Sequence, residues 1–98
     1  MPDIPVVAVI VANPGSEDVV RAALADLVEP TRAEEGCRSY ELHESAAAPG
    51  TFVTIESWSD ASDLDKHLAT PHVAAALAAA DGHLALAPGI HPLTVVPR

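Results

Sequence analysis

The stretch Phe52–Leu68, FVTIESWSDASDLDKHL, changes its period halfway along. Up to Trp58 the residues alternate. Val53 and Ile55 fall on one side, and Phe52, Thr54, Glu56 and Trp58 on the other, as in a β-strand. Ser59-Asp60 ends the alternation, and Asp60 is a favoured helix N-cap. Beyond it Leu64, His67 and Leu68 recur at the three- and four-residue spacing of one helix face. A strand turning directly into an amphipathic helix predicts a mixed α and β protein, and the flanks extend that pattern in both directions.

Upstream, Cys37–Glu44 alternates as well. Arg38, Tyr40, Leu42 and Glu44 share one side, and Cys37, Ser39, Glu41 and His43 the other. The loop Ala46-Ala47-Ala48-Pro49-Gly50 is short, so the two strands are expected to form an antiparallel hairpin. Matching the apolar sides places Tyr40 and Leu42 beside Val53 and Ile55. Glu41, His43, Thr54, Glu56 and Trp58 are then left on the opposite face. Before the hairpin, Val6–Ala12 is a β-branched run expected to be a strand buried on both faces, closed by Asn13-Pro14-Gly15. Ser16 is the expected cap of a helix from residue 17 to the low thirties, with Val20, Ala23, Leu24, Leu27 and Val28 on its inner face. Pro30 should kink that helix, and Gly36 suits the left-handed turn that closes it.

Downstream, Thr70-Pro71 provides a cap and a first helical residue for an alanine-rich helix, stopped at Asp81-Gly82. Ile90–Val96 is expected to be the last strand, an edge blunted by Pro92 and Pro97. The order is β-α-β-β-α-(α)-β. This is the α+β, ferredoxin-like arrangement, expected to occupy residues 1–98 as one domain.

The formal charge is −9, with five Lys and Arg in total. Such a chain lacks the basic footprint needed to displace counterions from nucleic acid or to settle on an anionic membrane surface. A neutral or weakly acidic small molecule is the easier partner. Apolar residues make up 49% of the chain, many of them alanine, and there is one Phe, one Trp and one Tyr. So thin a core is expected to leave an apolar face for a second copy, giving a homodimer. A single cysteine, Cys37, allows neither an internal disulfide nor a cysteine zinc site. The first residues carry no basic region and only a short apolar run, so the expected location is the cytoplasm.

Five histidines are present, but none pairs with another at i, i+4 on one helix, so their spacing does not predict a metal site. Cys37 follows a helix C-terminus, where the dipole disfavours a thiolate, and reads as structural. His67 is the stronger chemical candidate. It shares its stripe with Leu64 and Leu68, and Asp63 one turn earlier is placed to fix its tautomer, as a general base requires. The competing interpretation is a histidine that only bonds across the helix–sheet interface. Trp58 and Tyr40 taken alone read as core residues. Glu56, a mid-strand carboxylate, needs a partner, and Arg38 or Arg32 is expected to supply it.

Taken together, the Pro14-Gly15 turn, TRAEEGCRSYEL at 31–42, FVTIESW at 52–58 and HLATPHV at 67–73 resemble the antibiotic biosynthesis monooxygenase family, which includes the quinol monooxygenase-like proteins. The resemblance implies a dimeric α+β barrel of two ferredoxin-like subunits, each with a pocket between sheet and helices. It implies O₂ as co-substrate and a small aromatic quinol, phenol or anthrone as substrate, with no flavin, haem or metal cofactor. A base removes a proton, and the resulting anion reduces O₂ directly. Carried onto this chain, the resemblance makes His67 the base or a hydrogen-bond partner of the substrate. Trp58, Tyr40, Leu64 and His72 contact the substrate, and Glu56, Asp63 and Arg32 support them. The haem-degrading branch of the fold needs an Asn on the first strand, whereas Asn13 lies in the turn beyond it. Two other functions stay open: isomerisation of a small hydroxyketone, which if phosphorylated needs Arg32, Arg38 or Lys66 in the pocket, or binding without catalysis.

Overall fold

The computed structural model describes residues 3–98. Its elements are β1 (Ile4–Val11), α1 (Glu17–Arg32), β2 (Cys37–Glu44), β3 (Thr51–Trp58), α2 (Ala61–Leu68), α3 (Pro71–Ala80) and β4 (Gly89–Pro92). The sheet order is β2-β3-β1-β4, and every pair is antiparallel. This is an α+β ferredoxin-like fold, with the element order the sequence predicts. The helices pack on one face of the sheet, and the core forms between them. Val6, Leu27, Tyr40, Trp58, Leu64 and Val73 make one cluster, and Ala8, Ile10, Val20, Leu24 and Phe52 belong to a second.

Local chemistry sets most of the helix ends. Asp60 accepts the Ser62 N–H at 2.8 Å, and Thr70 accepts the Val73 N–H at 3.3 Å, both as N-caps. Ser16 departs from expectation. Its hydroxyl lies 2.9 Å from His83 Nδ1 and caps nothing, so a long-range partner has displaced the local one. Pro30 lies within α1, which runs on for two more residues. Gly36 has φ +89°, and a Cβ there would stand 2.3 Å from the Asp63 Cγ, so both conformation and space require glycine.

Three expectations about the sheet are corrected. Tyr40 pairs with Glu56 and Leu42 with Thr54, and directly opposed residues point the same way. The buried face of the hairpin is therefore Tyr40, Leu42, Phe52, Thr54, Glu56 and Trp58, while Ile55 is 49% exposed on the other face. Matching by hydrophobicity failed because the strand turns its polar residues inward, where the cavity described below needs them. A register shift between Cys37 and Ser39 adds a residue to β2, so Cys37 opposes Trp58 instead of standing across the sheet from Tyr40. The last strand is also shorter than predicted. It stops at Pro92, and Leu93 donates to the Pro5 carbonyl at 2.9 Å before the chain leaves the sheet. Val7, Val9 and Val11 of β1 are only half-buried, so that strand is fully covered on its helix side alone.

Candidate active site

Between the inner face of the sheet and the three helices lies a cavity of about 80 Å³, room for several water-sized groups. Most of its wall is apolar, with Ile10 from β1, Leu27 from α1 and Leu64 from α2 among the contributors. Small residues at Ala8, Ala76 and Ala80 leave the space open. One region of the wall is polar: Tyr40, Thr54, Glu56 and His67 all reach it. A mostly apolar cavity with a few convergent polar groups is the usual form of a small-molecule site.

Glu56 is buried without a cation. The Thr54 hydroxyl donates to its Oε2 at 2.5 Å, and the Trp58 indole N–H donates to Oε1 at 2.8 Å. The three residues lie at i−2, i and i+2 on one strand, so the pleat itself brings them to one face. The expected arginine pairing does not form. Arg38 is on the surface with Asp3 at 3.4 Å, and Arg32 donates to the Tyr40 carbonyl at 2.9 Å, tying the end of α1 to β2. Strand neighbours satisfy the carboxylate more directly than a long side chain from another element.

His67 is 4% exposed and lies against Trp58, with ring centroids 4.9 Å apart, and near Tyr40 at 5.9 Å. Its Nδ1 is 2.6 Å from Glu34 Oε2, and the same oxygen is 2.7 Å from His72 Nε2. An ionised carboxylate only accepts, so the His67 Nδ1 donates, and in the neutral ring Nε2 is the acceptor. Glu34 therefore makes the bond expected of Asp63. Asp63 is committed elsewhere. It accepts the Ser59 hydroxyl at 2.5 Å and packs over Gly36, pinning the start of α2 to the turn before β2. Glu34 went unrecognised in the sequence because it lies 33 residues from His67. One signal was available: Glu34 and Glu35 follow a helix C-terminus, where the dipole disfavours acids that have no donor.

Tyr40 and Leu64 line the cavity, and Trp58 and His72 do not. The Trp58 side chain is fully buried behind Glu56 and His67, with its N–H already used, and His72 stands behind Glu34. Burial, then the charge of Glu56, pushes the Tyr40 phenol well above its ordinary range, so it remains a hydrogen-bond donor. Burial and the nearby Glu34 likewise push the Cys37 thiol up, in keeping with an unreactive cysteine. Arg32, Arg38 and Lys66 do not line the cavity.

Fold and cavity together define a ferredoxin-like α+β protein with a mostly apolar pocket and a histidine on its wall. Residues 4–79 match the antibiotic biosynthesis monooxygenase family, and the chain belongs to it. Rv0793 of Mycobacterium tuberculosis, which carries a provisional monooxygenase name, is 42% identical over 67 residues, or 68% of this chain and 65% of that protein's length. Its solved structure superposes with a TM-score of 0.86 at 32% identity, covering 98% of this chain and 97% of that one. The crystal structure of PA3566 from Pseudomonas aeruginosa gives a TM-score of 0.89 at 30% identity, covering 99% and 97%. Among the described residues no helix is long and apolar enough to cross a membrane.

Proposed function

We propose that this protein is a cofactor-independent monooxygenase for a small aromatic quinol, phenol or anthrone, with His67 as the base. The observation that carries this reading is the Glu34–His67 bond, which fixes the tautomer so that the free Nε2 belongs to a ring on the cavity wall. Nε2 takes a proton from the substrate, and the neutral Tyr40 phenol is placed to donate to the oxygen that gains charge. The electron-rich anion passes one electron to O₂. The two radicals combine to a peroxide anion; its carbon loses the remaining hydrogen as the O–O bond breaks, so one oxygen atom stays on the product as a carbonyl and the other departs as hydroxide. His67 returns its proton to the departing hydroxide, so the base is unchanged over one cycle. The apolar wall supports this reading by excluding the water that would stabilise the substrate anion and blunt its reactivity.

The functional unit in this proposal is a homodimer joined through the outer sheet face, where Ile55 is exposed and Val7 and Val9 are half-buried. A phosphorylated hydroxyketone is the poorer fit, because none of the three candidate cations lines the cavity.

The test is oxygen consumption with a panel of hydroquinones and anthrones. His67→Ala is expected to lower kcat by about 10²–10⁴-fold, the usual contribution of a positioned base. A normal rate in that variant removes His67 as the base, and no turnover of any panel member by the wild type removes the oxygenase reading.

A further inference from the structure

We propose that Glu34, His67 and His72 form a binding site for one divalent transition-metal ion of the zinc class. Glu34 Oε2, His67 Nδ1 and His72 Nε2 all lie within 4.8 Å of one another. Two of these ligands flank the short turn between α2 and α3, and the third comes from the connection between α1 and β2. Helices thus fix the backbones of His67 and His72, and the turn bonds from Glu34 N–H to the Thr31 carbonyl and from Cys37 N–H to the Glu34 carbonyl hold the third. Imidazole and carboxylate together suit zinc, cobalt, nickel or ferrous iron, whereas calcium and magnesium favour all-oxygen sets.

The geometry is close to what such an ion needs. Ligand atoms about 2.1 Å from a tetrahedral metal stand about 3.4 Å from each other. The two nitrogen–oxygen separations are 2.6 and 2.7 Å, so each must open by less than an ångström, while the two ring nitrogens, which lie within 4.8 Å of each other, adjust to the same spacing. The outer members are free to supply that movement. The His72 side chain is 25% exposed and Glu34 13%, against 5% for His67, which also gives an ion a route in from solvent past His72. Three protein ligands leave a fourth position open to water or a small ligand.

Charge and protons are also in balance. The ionised carboxylate and two neutral imidazoles carry one negative charge, in a chain whose net charge is −9. A ring that holds the ion through one nitrogen carries its N–H on the other. For His67 this has a consequence, which alone rests on the function proposed above. With an ion on Nδ1, Nε2 carries the hydrogen and no longer accepts a proton. The filled site is then an inhibited state.

The experiment is titration of the EDTA-treated full chain with Co²⁺ and Zn²⁺, without substrate. One Co²⁺ per chain is expected, with visible absorption that Zn²⁺ abolishes by displacement. Glu34→Gln and His72→Ala should each weaken binding by at least about tenfold, the usual scale for damage to a metal site. His43→Ala and His91→Ala, outside the cluster, should leave affinity unchanged. Folding of each variant is checked by circular dichroism. If Glu34→Gln or His72→Ala fails to fold, ring ¹⁵N shifts of wild-type His67 and His72 decide instead, since Zn²⁺ must move both. The proposal is overturned if the wild type takes up no Co²⁺ or its rings do not respond. It is equally overturned if Glu34→Gln and His72→Ala bind as tightly as wild type, or if His43→Ala or His91→Ala abolishes binding. None of these outcomes depends on turnover, so the metal site and the oxygenase reading fail or stand separately.

Discussion

Glu44 and Glu56 belong to the same hairpin, yet one stands in water holding an arginine and the other lies in the core holding none. Arg21 clasps Glu44 with Nε and Nη2, both at 2.9 Å, and the Gly50 N–H adds a bond at 3.0 Å. The same guanidinium lies 5.6 Å from the Phe52 ring centroid, closing the hairpin's far end over α1. Glu56 takes only a hydroxyl and an indole N–H. Water screens the first arrangement and already solvates its parts, so an exposed pair of this kind contributes little. In the second, the buried Trp58 N–H has no other partner among the described residues and the Thr54 hydroxyl has only Tyr40, so removing the carboxylate leaves buried donors unsatisfied. The difference shows that a charge pair is a weaker device here than saturation by neutral donors from the same strand.

The largest effect should come from breaking the buried arrangement. Glu56→Ala is expected to cost about 2–4 kcal/mol in chemical denaturation, because it orphans the Trp58 N–H and takes from the Thr54 hydroxyl its charged acceptor. Adding Thr54→Val should recover part of that loss by removing that hydroxyl, whereas simple additivity would mean the two side chains are not coupled. A gain in stability is expected at Thr31, whose fully buried hydroxyl has no partner among the described residues. Thr31→Val should stabilise the fold by about 1 kcal/mol in the same measurement, and a loss would mean that this hydroxyl is bonded.

The smallest effect belongs to the exposed pair, and its pH dependence has a definite sign. The Arg21 bond, then the Gly50 N–H, holds the Glu44 carboxyl below its ordinary range. A depressed folded-state pKa adds stability that is fully present above the unfolded value. That stability is lost as pH falls through the unfolded value and on through the folded one. Wild type and Glu44→Gln should therefore differ in midpoint of thermal unfolding at neutral pH and low salt, and converge in acid. Added salt should shrink the difference. A gap that grows on acidification would contradict the pairing.

Much of the architecture was legible because its causes are local. Asp60 and Thr70 are caps whose acceptors lie within three residues, and the helical stripes of α1 and α2 repeat within a turn or two. The places where the sequence misled are those where a distant partner prevailed. Ser16 bonds His83 instead of capping α1, and the residue added at the Cys37/Ser39 bulge carries Cys37 to Tyr40's side of the sheet. Hydrophobic matching chose the wrong hairpin face, because Thr54 and Glu56 turn inward to satisfy one another and Trp58.

The candidate site divides in the same way. Composition and period alone determined an acidic, mixed α and β chain with a histidine on the inner face of its second helix, since such patterns need only neighbours in sequence. Tertiary structure decided what that histidine bonds. His67 meets Glu34, and Glu34 meets His72, across separations of 33 and 38 residues. No periodicity connects residues so far apart. Only the packing of α2 and α3 against the end of α1 brings two imidazoles to one carboxylate oxygen, leaving Asp63 to hold the neighbouring turn.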